Sequence, residues 1–349
     1  TATTEIYTLS LHDALPIFIL AADITIAGTL SVTAGVFHAG TNRAVVGGSV
    51  SVGGTGSLNT GSGGVVDAGS RTVTNAGTIA AAGNGSGAGA VICGDLSSTG
   101  IIDTTAARTI SASGDVSING FYGPSVANGT LAMTGAGRNL NAAIPIGNLT
   151  VNPGAGNTVS LSAGLTLAGG LTISSGTLDA LANPVAVAGS WTNSAGAAGF
   201  SGTGVVTFNG TGIQTVTSGG DSFPTVTLSK TAGSVVFADA LSVGTAMTVG
   251  ANKAFSLSFN NAAGGQTSTV AGATTLDNTG TISFGNDPLD AILFTGGLSV
   301  TASSGLTLAG NLASTNTNIS LPATGILSLS GAAAVDTGAG AGKIGRAHV

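Results

Sequence analysis

The sequence predicts an all-β chain folded as a right-handed parallel β-helix, a β-solenoid of irregular coils. Three observations carry that expectation. First, a nine-residue stretch, Leu165–Ile173 (LTLAGGLTI), reads apolar-polar-apolar, then a small-residue corner, then apolar-polar-apolar. Side chains alternate along a strand, so two short strands joined by a Gly-Gly bend give this pattern. It recurs at Ile24–Val32, Leu241–Val249 and Leu306–Ser314, with a degraded copy at Ala90–Ser98, so that copies open at Ile24, Ala90, Leu165, Leu241 and Leu306. Second, Gly129/Thr130, Gly204/Val205 and Gly280/Thr281 each open a short strand, carrying Met133, Phe208 and Phe284 at intervals of 75 and 76. Third, helical periodicity is missing from every window of ten or more residues. Gly, at 59 of 349 residues, is too dense for helices at about 1 kcal/mol each relative to Ala.

Strands of three to five residues with one apolar face are unstable alone. Stacked coil on coil, each pairs above and below, and the inward Leu, Val and Ile form a column. Coils of about twenty residues, rising about 4.8 Å each, give about sixteen coils. A narrow interior favours Val, Leu, Ile and Ala over large aromatics, Gly and Asn supply positive φ at corners, and outward Thr and Ser cover the faces. Leu165, Leu167, Leu171 and Ile173 are expected inside, as are Leu241, Val243, Met247 and Val249, and Ile24, Ile26, Leu30 and Val32. Thr166, Thr172, Ser242, Thr248, Thr25 and Ser31 are expected outside. A sandwich or barrel also has many short strands but accounts less well for the long-range recurrence.

In chain order, Phe18–Gly40 holds the first motif copy, with Phe37 and His38. Thr41–Gly64 and Val65–Ala82 are short Val-rich strands cut by Gly, and Gly83–Gly89 reads as a loop. Ile101–Ile118 alternates again, and Phe121-Tyr122-Gly123-Pro124 reads as an aromatic turn. From Gly129 the strands are cleaner: Asn148–Val151, Val185–Trp191, Val205–Phe208, Val235–Phe237, Phe255–Phe259, Ile282–Phe284, Ile292–Phe294 and Ile326–Leu329.

Both ends read differently. Thr1–Ile17 back-translates to a common short-read sequencing adapter, and Ile344–Val349 (IGRAHV) to its opposite partner. Residues 1–17 and 343–349 are therefore expected to be non-native, adapter-derived tails. Phe18–Gly342 is then one continuous solenoid segment, an internal metagenomic fragment of a longer protein.

Composition bounds the function. Charged residues make up 6% of the chain, against roughly 25% in ordinary soluble domains. Net charge is -6 with no basic cluster, which argues against nucleic acid as a partner. Mean hydropathy is +0.49, but no apolar run approaches the ~20 residues of a membrane helix. One cysteine rules out an internal disulfide framework.

The region Gly129–Asn260, with GNLTV, LTLAGGLTI, GSWTN, VTFNGTGIQTV and LSKTAGSVVF, resembles the repeats of bacterial secreted β-helix surface proteins: autotransporter passengers and filamentous-haemagglutinin-type adhesins. The resemblance implies export, an extracellular or cell-surface location, and adhesion or aggregation through surface glycans or proteins of a host or neighbouring cell. An outer-membrane translocator is expected outside this segment.

No catalytic, cofactor-binding or metal residue is assigned, and no cofactor is expected. Enzymes on β-helices need carboxylates clustered on an exposed face, often with calcium and a basic group. Asp287 and Asp290 (NDPLD) are the nearest pair in sequence, Asp221 and Asp239 are placed to meet one coil apart, and Lys230 and Lys253 fall in neighbouring coils. Gly219-Gly220-Asp221 is only a fragment of a calcium nonapeptide. His38 reads as a turn residue and Cys93 as a buried small residue at the corner position of Ala27, Ala168, Gly244 and Ala309. Trp191 and the Phe121–Tyr122 pair are aromatic platforms in principle, with packing the better reading. The sequons at Asn84, Asn128, Asn148, Asn209 and Asn318 follow from composition. Three classes remain: an adhesive stalk, which leads; a polysaccharide lyase or hydrolase with an Asp-lined groove; and a crystal-binding solenoid with Thr ladders, against which irregular coil lengths count.

Overall fold

The computed structural model describes residues 5–12, 17–80, 89–103, 108–120, 122–123, 129–322, 326–340 and 342–346. They form parallel strands stacked as a β-solenoid of about 15 turns, with no helix among the described residues. The chain divides into two compact units, Thr1–Asp179 and Ala180–Val349.

In the first unit, one stack runs through Ile24–Ile26, Arg43–Val46, Val65–Asp67, Ala90–Cys93, Thr109–Ala112, Thr130–Met133, Asn148–Val151 and Leu171–Ile173. Its register joins Val66, Val91, Ile110, Leu131, Leu149 and Leu171 as one inward column, every member buried. A second stack aligns Leu30, Val50, Val73, Leu96, Val116 and Leu140. A third aligns Phe37, Leu58, Ile79 and Ile102. Each buried Leu, Ile or Val contributes about 1.5–3 kcal/mol of transfer free energy, and the strand alternation points all of them the same way.

The second unit repeats the plan with a different filling. Val206, Val226 and Met247 form one column, and Val235, Leu257, Ile282 and Leu306 another. Its centre is aromatic, contrary to the expected aliphatic interior. Phe208, Phe237, Phe259 and Phe284 follow one another, the last two pairs stacked at 5.5 Å. Trp191 is fully buried, edge-on to Phe200 at 5.0 Å and to Phe223 at 5.1 Å. Coils one strand spacing apart bring successive rings into offset contact, worth about 0.5–1.5 kcal/mol per pair beyond area.

The coils are irregular, as the sequence predicts. The coil from Thr130 to its register partner Asn148 is short, and the one from Thr248 to its partner Thr275 is half as long again. The inward and outward assignments hold, with two refinements: Ile24 and Val249 are only half-buried. The Gly-Gly bend separates Leu165–Leu167 from Leu171–Ile173 as expected, but the Leu241 and Leu306 copies run through their corner as single strands, Ser242–Lys253 and Gly305–Ser314. Register shifts between Phe223 and Thr225 and between Leu308 and Gly310 take up the corner instead.

The end segments take part in pairing. Glu5–Ile6 lies beside Thr25–Ile26, Leu9–Leu11 beside Leu30–Val32, and Ile344–Arg346 beside Ile319–Leu321. Tyr7 is 78% exposed and Ile344 53%. Backbone pairing describes their conformation and is independent of where their codons came from. The loop expected at Gly83–Gly89, Phe121 and the sequons at Asn84 and Asn128 lie outside the described residues, apart from Gly89.

Candidate functional site

The charged residues singled out in the sequence all fall among the described residues. Asp290 is buried and its carboxylate accepts from three backbone N–H groups: Gln266 at 2.8 Å, Asn286 at 2.8 Å and Asp287 at 3.0 Å. Asp287 accepts from the Leu289 N–H at 2.9 Å, closing a side-chain turn of the kind Asp makes in loops. The pair therefore shapes the 286–290 loop, and the two carboxylates do not face one another across an open cleft.

Asp221 and Asp239 do come together through one corner. Asp239 accepts from the Ser218 and Gly219 N–H groups at 2.8 and 2.7 Å and from Ser218 Oγ at 3.1 Å. Asp221 is fully buried, and its Oδ2 accepts from Asn193 Nδ2 at 2.6 Å. Burial pushes its carboxyl up to about 6; Phe200 and Gly199 N–H groups and Asn193 oppose the rise, and the charge of Asp239 adds to it. Asn193 also donates to the Ser218 and Gly196 carbonyls at 2.9 and 2.8 Å. The cluster satisfies the backbone of a tight corner. Among the described residues no group of three or more His, Cys, Asp or Glu is placed to hold a metal ion.

Lys230 and Lys253 are register partners, with opposite environments. Lys253 is part-exposed and paired with Asp277. Lys230 is fully buried and donates to Gly210 O at 2.5 Å and to Gln214 Oε1 at 2.7 Å. Burial lowers its amine to about 8. Gln214 completes the bridge, donating from Nε2 to Val187 O and Gly189 O at 2.7 Å each. The alternation Val226, Leu228, Lys230 puts position 230 in the inward phase; the pattern does not give its partner Gln214.

Two readings are corrected. Cys93 is not a corner residue: it is the last inward residue of Ala90–Cys93, in register with Ala112. The degraded motif copy is displaced by one residue, so Val91 and Cys93 point in. Burial, with the charge of Asp95 adding, pushes the thiol up to about 12, which makes it inert. His38 ends the strand Leu30–His38, half-buried and in register with Asn59, and is not in a turn. The side chain of Tyr122 lies outside the described residues.

The sequence did not disclose a groove of about 590 Å³ in the second unit. One wall carries Thr275, Ser299 and Ser320, register partners on successive coils. Asn316, Thr317 and Asn318 flank it, and Gly296-Gly297 form the floor. A Cβ at Gly296 would collide with Ala273 N, and Gly297 adopts φ +94, so this dip in the surface requires glycine. No lining residue carries a charge.

The groove belongs to a longer feature. Thr207, Thr227, Thr248, Thr275, Ser299 and Ser320 are successive register partners on the outward face of the second unit. In the first unit Ser10, Ser31, Ser51, Thr74, Ser97, Ser117 and Asn141 form a comparable outward column. Thr227 and Thr248 hydroxyls bond one another at 3.2 Å. Compared with protein-family models, with curated proteins and with solved structures, the chain matches none of them.

Proposed function

We propose that this chain is a structural and adhesive segment of a bacterial cell-surface or secreted protein, a β-helical stalk that presents its faces for adhesion or aggregation. The observation that carries the reading is the pair of uncharged polar columns, six rungs in each unit within residues 18–342. Neutral hydroxyls repeated at strand spacing make many weak, identical hydrogen-bonding points. Such an arrangement suits extended partners bound through many contacts better than one small substrate held in a pocket, and the unequal coils from Thr130 to Asn148 and from Thr248 to Thr275 count against the strictly regular ladder of a crystal-binding solenoid. The resemblance of Gly129–Asn260 to secreted β-helix repeats supports the same location, outside the cell.

The alternative, a carbohydrate-active lyase or hydrolase, requires a solvent-facing acid and base within reach of one sugar bond. Asp290 and Asp239 spend their oxygens on backbone donors, and Lys230 is sealed in the core, so the stalk is favoured.

The test is display of residues 18–342, fused to an outer-membrane translocator, on otherwise non-adherent bacteria. Faster settling of the suspension, or retention on glycan- or protein-coated surfaces, is expected. Cells that stay dispersed and wash off every surface while exposing the segment would remove the reading.

A further inference from the structure

We propose that the groove at Thr275, Ser299 and Ser320 binds an uncharged oligosaccharide, laid across successive coils with its hydroxyls against the rungs. The proposal rests on the surface-display reading only for the source of the glycan.

Two glycines, Gly296 and Gly297, lie in the lining. A Cβ at Gly296 would run into the Gly272–Ala273 backbone of the adjoining coil and one at Gly297 would meet Asn318 O and Thr317, so neither position accepts a side chain. The groove is an open depression of about 590 Å³, which suits an extended chain lying along it and does not enclose a small molecule. Its wall offers hydroxyls on three consecutive coils, about 4.8 Å apart. A sugar ring advances a polysaccharide by a similar distance, so one ring meets one rung.

The opposite rim supplies oriented amides. Asn316 takes positive φ (55°), and its Oδ1 accepts from the Gly340 N–H at 2.7 Å. Asn318 Oδ1 accepts from the Lys343 N–H at 3.0 Å. Each amide oxygen is thus fixed by a backbone donor, and both side chains belong to residues that line the groove. Any residue other than proline at position 340 or 343 can supply that N–H.

The chemical class follows from what lines the groove. Without a cation, a uronate, sulfate or phosphate would lose its hydration with nothing to compensate it. Without an aromatic ring, the binding is hydrogen-bonded and weak, and is strengthened by repetition along the coils.

The experiment is an NMR titration of the full chain, following backbone amides at residues 273–275, 296–299 and 316–320. The probes are soluble cello-, xylo- and malto-oligosaccharides, with an oligogalacturonate as the charged control. At least one neutral series should shift these amides saturably, with the control leaving them unmoved. Ser299→Trp should abolish the shifts by filling the groove. Ser299→Ala with Ser320→Ala, which keeps the shape, should weaken binding about tenfold, the loss of about 1.4 kcal/mol of hydrogen bonding. The proposal is overturned if no neutral series moves these amides, if oligogalacturonate binds as well, or if the double alanine variant binds unchanged. Any of these leaves the display assay able to succeed, because the first unit's column contains no groove residue.

Discussion

Lys230 donates its ammonium to Gln214 Oε1 at 2.7 Å inside the second unit, and it also donates to the neutral Gly210 carbonyl. A buried cation held by neutral oxygens is stabilised less than it would be in water, which is why its amine falls to about 8 from 10.5. Below about 8 the amine is charged in folded and unfolded chains alike. Between about 8 and 10.5 the folded chain releases the proton and the unfolded chain retains it, so stability rises with pH in that window. Thermal melts of the wild type should therefore move upward from pH 8 to pH 10 relative to Lys230→Met. Parallel pH profiles for the two proteins would contradict this placement of the lysine.

Asp221 gives the opposite slope at acid pH. Its carboxyl lies at about 6 in the folded chain against 3.8 unfolded. Its contribution is fully present below 3.8 and is lost as pH rises through about 6. Asp221→Asn should remove that loss, and the difference in melting temperature between variant and wild type should grow from pH 4 to pH 7. A constant difference across that range would mean that Asp221 is solvated.

Asp290 is predicted to be structural. Asp290→Ala orphans the N–H groups of Gln266, Asn286 and Asp287, at about 1–3 kcal/mol for each that water does not reach. Hydrogen exchange should accelerate at these amides. Incubation of wild-type protein with neutral and acidic polysaccharides, with and without calcium, should release no reducing or unsaturated ends. Release that disappears in Asp287→Ala or Asp290→Ala would assign the pair to catalysis.

Leu167 is fully buried and its neighbour Thr166 is exposed. Leu167→Ala should cost about 2–5 kcal/mol through the cavity it leaves, and Leu167→Asp more, through an unpaired buried charge. Thr166→Ser should be nearly silent. Because each coil touches only its neighbours, hydrogen exchange should report the damage within the adjoining coils. Loss of protection throughout the first unit would show that folding there is all-or-none.

Much of this architecture was legible because strand alternation is a local signal. LTLAGGLTI declares two strands, one corner and four inward side chains without reference to any other part of the chain. What escaped depends on partners far apart in sequence. Gln214 and Lys230 bond across 16 residues, out of step with the coil register that pairs Gln214 with Val235, and no motif connects them. Phe237, Phe259 and Phe284 stack on one another at intervals of 22 and 25, and Phe208 joins them edge-on from another stack, a contact no sequence interval announces. Cys93 was placed one residue out because small residues fill both corners and narrow inward positions. The groove needed three coils in register, and register is not fixed by sequence spacing when one coil, Thr130 to Asn148, is so much shorter than another, Thr248 to Thr275.

Coil-on-coil register is the claim on which the columns, the groove and the buried clusters all depend, and one measurement tests it most directly. Thr150 and Thr172 are register partners on adjacent coils of the first unit, about 4.8 Å apart; Ser160 faces out from a different stack, on Thr158–Leu161. In a Cys93→Ala background, nitroxide labels at positions 150 and 172 should give an electron paramagnetic resonance spectrum strongly broadened by spin–spin coupling. Labels at 150 and 160 should give sharp, nearly independent spectra. Broadening for 150/160 and none for 150/172 would contradict the stacking, and with it the solenoid.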